Sequence, residues 1–199
     1  MKVLLFWFLQ AQTFYKKLHE DALVSAHVKT SNLKEEWADI GCGVGLMSTL
    51  ANEKAYKVNS FDLDPQMITF AKFLHKDKPQ LTFEVQDVMK LTHSYDVISA
   101  TSLLSVVPQR KEVLTKLISL LKTQDSKLIL IEPTKEMSVK NVYKLIHSPL
   151  DLWRYKMLFV WANARQGKEV SKEIFKDIKN ISHHYFLNEM VRVSVLKKT

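Results

Sequence analysis

Three of the four glycines in this 199-residue chain stand at alternate positions: Gly41, Gly43 and Gly45. Glycine has no Cβ, so it adopts positive φ readily and lets a ligand approach the backbone closely. Apolar residues before the turn predict a buried strand over about 36–40, and apolar residues at helical spacing after it predict a helix over about 44–54. A strand, a glycine turn and a helix N-terminus form a corner that points backbone amides at a ligand, commonly a nucleotide.

The spacing of these glycines distinguishes between classes of nucleotide site. A dinucleotide fingerprint needs glycine at 46 or 48, where Leu46 and Ser48 stand, and a phosphate loop needs a Gly-Lys-Ser/Thr sequence that is absent. The pattern is acid-x-Gly-x-Gly-x-Gly, from Asp39 to Gly45. It resembles the first motif of the class I S-adenosylmethionine-dependent methyltransferases. A tight turn without a ligand is the alternative interpretation.

Further strands are predicted over about 56–61, 81–85, 95–100 and 127–131, with helices between them. Asp64 is a predicted N-cap, followed by Pro65 in a first helical turn, and Pro108 opens a later helix. Strands alternating with helices predict parallel pairing with right-handed crossovers. After residue 133, a helical stretch (136–180) precedes a predicted hairpin of residues 183–187 and 191–196. The resemblance implies a Rossmann-like, doubly wound sheet of seven strands, six parallel and one inserted antiparallel by the hairpin.

Two acids follow the second and third predicted strands. Asp62 lies 21 positions after Gly41, where an acid reaches the ribose hydroxyls of an adenosine; an N-cap role is the alternative. In the family that the glycine turn resembles, an acid at the position of Asp87 accepts a hydrogen bond from the adenine amino group; a surface turn is the alternative. The resemblance implies a site for S-adenosylmethionine, and for its product S-adenosylhomocysteine, formed by Asp39, Gly41, Cys42, Gly43, Gly45, Asp62, Leu63, Asp87, Val88 and Ala100.

Composition limits the kinds of site and partner that the chain can have. Cys42 is the only cysteine, which excludes an intramolecular disulfide framework and a multi-cysteine metal site. We interpret it as a small packing residue rather than a nucleophile. The seven histidines form no convincing zinc motif, and a reducing, cytoplasmic location is expected. The net charge of +8 is spread along the chain, which favours a solvated basic surface; nucleic acid is a possible but less favoured partner.

The amino-terminal residues carry an apolar run, Val3–Leu9. It is too short to span a bilayer and lacks the small residues of a signal-peptide cleavage site. We expect a helix that packs on the domain or over the ligand crevice, with membrane-surface contact as the alternative. A second helix is predicted over about 10–28.

The resemblance implies one domain: a helical cap (1–30), a cofactor-binding core (35–133), a helical insertion (136–180) and a closing hairpin (182–199). The insertion is either a substrate lid or two ordinary core helices. A sulfonium methyl group is already electrophilic, so an enzyme of this type mainly positions the acceptor and needs a base only for a protonated one. Tyr143 and His147 are the candidate bases. A small-molecule acceptor is favoured; an RNA or protein methyltransferase and a non-catalytic adenosine-binding domain are the alternatives. The sequence gives no indication of oligomeric state.

Overall fold

The structure is a computed structural model that describes residues 2–198. Its strands are β1 (Glu36–Ile40), β2 (Lys57–Asp62), β3 (Leu81–Val85), β4 (Val97–Thr101), β5 (Lys127–Pro133), β6 (Ile181–Phe186) and β7 (Val191–Lys197). Its α-helices are α1 (Lys2–Gln10), α2 (Thr13–Ser25), α3 (Leu46–Glu53), α4 (Pro65–Leu74), α5 (Arg110–Ser119), α6 (Val139–Tyr143) and α7 (Pro149–Arg165).

Over the described residues 2–198, the strands form one seven-stranded sheet in the order β3-β2-β1-β4-β5-β7-β6. Strands β1 to β5 pair in parallel, and β7 inserts antiparallel to both β5 and β6. This confirms the predicted mostly parallel sheet and its terminal hairpin. The strand order reverses between β1 and β4, and ligands of open α/β sheets bind outside the carboxyl ends of the strands at such a point.

The ends of several helices differ from the predictions for local reasons. The predicted helix over 10–28 is α2, and a turn at residues 11–12 separates it from α1. α3 begins at Leu46 rather than 44, because Gly45 takes a left-handed conformation (φ +91°) just before it. The cap of α4 is as predicted: the Gln66 N–H donates to the Asp64 carboxylate at 2.9 Å.

The segment 136–180 is helical and packs partly as core. α7 buries Leu158, Trp161 and Ala162, and Tyr155 on the same helix contacts Phe14 of α2 with 6.0 Å between ring centroids. Trp153 is 68% exposed, and the Lys156 Nζ lies 3.5 Å from the centroid of its ring. The helix therefore has one face on the domain and one in solvent. Among residues 2–198, no helix has both the length and the apolar character needed to cross a bilayer.

Candidate functional site

A cavity of about 610 Å³ lies at the carboxyl ends of the parallel strands. The glycine turn after β1 and the segments that follow β2, β3 and β4 form part of its wall, and helices supply the rest. The helical side of the cavity, from α1, α2 and α7, carries Lys2, Phe6, Gln10, Tyr15, His19, Trp161 and Arg165. Helices α3, α4 and α5 add Leu46, Met47, Met67 and Val113. This volume is within the range of about 300–1,000 Å³ that is typical of small-ligand sites.

Most of the predicted cofactor residues lie in the wall of this cavity. Those that line it are Asp39, Gly41, Cys42, Gly43, Asp62, Leu63, Asp87 and Val88. Gly45 and Ala100 are not among the lining residues: Ala100 is fully buried in the sheet, and a Cβ on Gly45 would lie 2.9 Å from the Phe83 ring. The packing of α3 against β3 thus explains the glycine at 45 without any ligand.

Gly43 is held by contacts on two sides. Its N–H donates to the Asp62 Oδ2 at 2.9 Å, which ties the turn to the end of β2. On the other side, a Cβ at this position (φ +56°) would lie 3.0 Å from the Gln10 Nε2. Gln10 also accepts a hydrogen bond from the Leu46 N–H at 3.0 Å, so α1 packs directly over the turn. A side chain at 43 would therefore displace α1 as well as a ligand.

Asp62 and Asp64 make different contacts, and the role of Asp62 toward a ribose stays a prediction. The Asp62 Oδ2 accepts from Gly43 and its Oδ1 accepts from the Asp64 N–H, both at 2.9 Å. Each carboxylate oxygen keeps a second lone pair that a ligand hydroxyl can use. Asp64 caps α4 and pairs with Lys2 at 2.9 Å; the hydrogen bond from Lys2 lowers the pKa of Asp64.

Asp39 is buried beneath the turn within a hydroxyl network. Its Oδ2 accepts from the Ser48 Oγ at 2.7 Å and its Oδ1 from the Ser99 Oγ at 2.9 Å. Burial raises the pKa of Asp39 to about 6, although the two serine hydrogen bonds act in the opposite direction. These bonds join β1 to α3 and β4, so Asp39 positions the elements around the turn. Its direct contact with a ligand stays a prediction.

Asp87 and Cys42 complete this wall. The Asp87 Oδ1 accepts from the Met89 N–H at 2.9 Å and caps a 3₁₀ turn over Val88–Lys90. Its carboxylate therefore has a local partner as well as a place in the cavity lining. Cys42 is buried, and burial raises the pKa of its thiol well above the ordinary value. A protonated, buried thiol suits a packing role better than a nucleophilic one.

The polar side chains on the helical side of the cavity are not among the residues predicted from the sequence. The His19 Nδ1 lies 2.8 Å from the Tyr15 carbonyl oxygen, and its Nε2 lies 3.1 Å from the Thr101 Oγ1 at the end of β4. Because a carbonyl oxygen only accepts, Nδ1 carries the proton and Nε2 presents a lone pair. Burial lowers the pKa of His19 to about 4, so the ring is neutral at neutral pH. In the sequence, the signal that could have pointed to His19 is its position one helical turn after Tyr15, on the apolar face of the predicted helix.

The candidate bases from the insertion lie elsewhere. Tyr143 is 61% exposed and packs against Phe159, with 4.8 Å between ring centroids. His147 is exposed in the loop before α7, where its backbone N–H donates to Asp151. Neither side chain is among the residues that line the cavity. Between residues 2 and 198, no cluster of histidine, cysteine and acidic side chains is arranged to hold a metal ion.

A family model and several solved structures match this chain. A family model described as a methyltransferase domain matches residues 38–124. The fold matches N-methyltransferase NodS from Bradyrhizobium japonicum WM9 in complex with S-adenosyl-L-homocysteine, at 12% identity and a TM-score of 0.66, over 96% of this chain and 91% of that one. Magnesium protoporphyrin IX methyltransferase (ChlM) from Synechocystis PCC 6803 with bound SAM matches at 18% identity and a TM-score of 0.62, over 93% and 80%.

The plantazolicin methyltransferase BpumL, in complex with a triazolic desmethylPZN analog and SAH, matches at 13% identity and a TM-score of 0.64, over 96% of this chain and 84% of that one. No curated protein sequence matches the chain. At these identities the solved structures show the fold, while the family model covers the glycine turn and the segments through β4 and α5. Residues 38–124 thus match a methyltransferase domain, and the sheet order of the whole chain is that of the same fold.

Proposed function

We propose that the protein transfers a methyl group from S-adenosylmethionine to a small-molecule acceptor in the cavity. The observation that carries the proposal is the joining of the glycine turn to the end of β2 through the Gly43 N–H and Asp62 Oδ2, at one wall of this cavity. This contact sets a carboxylate with free lone pairs beside the glycine turn, in the wall of the cavity.

The residues of this wall fit the cofactor. Asp62 would hold the ribose hydroxyls, and Asp87 would accept from the adenine amino group. Leu63, which is 67% exposed, and Val88 both line the cavity, so both could offer apolar surface to an adenine ring. When bound, S-adenosylmethionine supplies an electrophilic methyl group on a sulfonium.

The helical side of the cavity would receive the acceptor. The His19 Nε2 accepts a hydrogen from the Thr101 hydroxyl, and it can accept one instead from the O–H or N–H of an acceptor. Such a hydrogen bond would fix the acceptor atom at the end of β4. Because burial lowers the pKa of His19 to about 4, the ring would position the acceptor rather than take up its proton. Proximity and orientation of this kind supply up to about 7–11 kcal/mol of a barrier.

The walls of the cavity favour a small acceptor over RNA or protein. α1 packs on the glycine turn through Gln10, and α7 contributes Trp161 and Arg165 to the lining. We therefore propose that the inner face of the insertion covers the acceptor, while its outer face, including Trp153, stays in solvent. One of the solved structures named above is a magnesium protoporphyrin IX methyltransferase, and a porphyrin is a small molecule, which supports this choice. A cytoplasmic location remains part of the proposal.

A labelled-methyl assay tests the proposed reaction. The protein is incubated with S-adenosylmethionine carrying a labelled methyl group and, in parallel, with a low-molecular-mass metabolite fraction, total RNA, or cell protein. We expect label to enter the metabolite fraction and S-adenosylhomocysteine to accumulate with it. Label confined to RNA or protein would contradict the small-molecule acceptor, and binding of S-adenosylhomocysteine without any transfer would favour the non-catalytic alternative.

A further inference from the structure

Arg165 brings a positive charge to the acceptor side of the cavity. It stands one helical turn after Trp161, so both side chains lie on the same face of α7, and both line the cavity. The Trp161 ring meets the Tyr15 ring edge-on, with 5.1 Å between centroids, and the Tyr15 ring lies 4.6 Å from that of His19. Arg165 thus belongs to a continuous wall that ends at the proposed acceptor position.

The guanidinium of Arg165 is incompletely satisfied. Its Nε is buried and has no hydrogen-bond partner in the part of the chain that the structure describes. Within residues 2–198 it also takes part in no ion pair. Leaving a buried donor of a charged group unpaired is costly, and a guanidinium presents a planar fork of donors that matches an oxyanion.

Other charged groups of the cavity wall already have partners. Lys2 pairs with Asp64, Asp62 and Asp87 accept backbone amides, and Asp39 accepts two serine hydroxyls. Glu132, at the end of β5, feels the charge of Arg165, which acts to lower its pKa against the larger, opposite effect of burial. Among residues 2–198, however, Glu132 forms no ion pair with Arg165, and its carboxylate accepts from the Leu104 and Ser105 N–H groups. The charge of Arg165 is therefore available to a ligand.

We infer that Arg165 binds an oxyanion, a carboxylate or a phosphate, carried by the methyl acceptor. This inference rests on the proposed function, because it names the substrate class of the same site. Arg165 then orients the acceptor from α7 while His19 contacts the atom that receives the methyl group. An acceptor without a negative group would leave the Nε unpaired and would bind less tightly.

Anion-exchange fractionation tests this inference. A metabolite extract is divided into a bound, anionic fraction and an unbound, neutral and cationic fraction, and each is incubated with the protein and labelled S-adenosylmethionine. We expect label in the bound fraction. We expect Arg165→Gln to lower this labelling rate by about tenfold or more, the effect of losing a charge-assisted hydrogen bond. We expect the labelling rate of Arg165→Lys to lie between those of the wild type and Arg165→Gln, because lysine keeps the charge but lacks the planar fork of donors.

Two comparisons make the outcome decisive. Arg154→Gln, at an exposed arginine on the same helix outside the cavity lining, should label like the wild type. All variants should bind S-adenosylhomocysteine equally. Phosphatase treatment of the bound fraction separates a phosphate source, whose label is lost, from a carboxylate source, whose label persists.

Three outcomes would overturn the role of Arg165 while leaving methyl transfer intact. They are label only in the unbound fraction, equal labelling by Arg165→Gln and the wild type, and loss of S-adenosylhomocysteine affinity in Arg165→Gln. No label in any fraction would overturn the proposed function as well.

Discussion

Replacing Glu132 with alanine is expected to lower the free energy of unfolding by roughly 2–6 kcal/mol, about 1–3 kcal/mol for each buried donor left without an acceptor. Glu132 is 1% exposed, and its carboxylate accepts from the Leu104 N–H at 2.8 Å and the Ser105 N–H at 3.2 Å. Alanine removes both acceptors from the loop that follows β4, next to the cavity. Chemical denaturation of the two proteins at the same pH measures the difference.

The pH dependence of stability gives this prediction an independent check. Burial raises the pKa of Glu132 to about 8, against the opposing effect of the two amide hydrogen bonds. The folded protein then holds a proton that the unfolded chain releases near pH 4.5, so stability falls as pH rises toward 8. Asp39 also makes stability fall as pH rises, but only up to about pH 6, because burial raises its pKa to about 6.

Glu132→Gln provides the matched variant, since it keeps an acceptor oxygen and cannot ionise. Its unfolding free energy should vary less than that of the wild type between about pH 6 and about pH 8. An equal slope in both proteins would mean that Glu132 is ionised in the folded state throughout this range.

Replacing Asp62 with alanine is expected to weaken S-adenosylhomocysteine binding by about 1.5–3 kcal/mol, the range for hydrogen bonds to a charged group. This corresponds to a Kd that is about tenfold to about 150-fold higher. The variant removes the carboxylate proposed to hold the ribose and also the acceptor of the Gly43 N–H. Isothermal titration measures the affinity, and denaturation of the free protein shows whether the turn is also destabilised.

Asp64→Ala is the control, because its carboxylate lies two residues away and has a structural role. It caps α4 through the Gln66 N–H and pairs with Lys2. We expect a loss of stability of about 1 kcal/mol from the missing cap, with S-adenosylhomocysteine affinity retained. A larger loss of affinity in Asp64→Ala than in Asp62→Ala would show that the second acid, and not the first, holds the ribose.

Sequence reasoning predicted the parts of the fold that local patterns determine. The glycine turn, the cap at Asp64 and the hairpin around β7 each follow from short-range rules of spacing, capping and alternation. The sheet order came from a resemblance to a family, since strand pairing depends on contacts far apart in sequence. Trp37 is an example: its indole N–H donates to the Ser99 Oγ at 2.8 Å, across 62 positions.

The candidate site was predicted on the strand side and missed on the helical side. Asp62 and Asp87 follow strands, and the carboxyl ends of parallel strands share an edge, so their positions could be inferred from order alone. His19 and Arg165 both line the cavity because α2 and α7 pack against each other, as in the contact of Tyr15 with Trp161, which no local pattern specifies. Gly45 does not line the cavity in the structure, and its missing Cβ serves the close contact with Phe83, which no local pattern indicates.

The most direct test of the central claim is an isothermal titration of the intact protein with S-adenosylhomocysteine. We expect saturable binding at one site per chain, weakened in Asp62→Ala and unchanged in Arg154→Gln. Absence of binding by the folded wild-type protein would contradict the assignment of this cavity as the cofactor site.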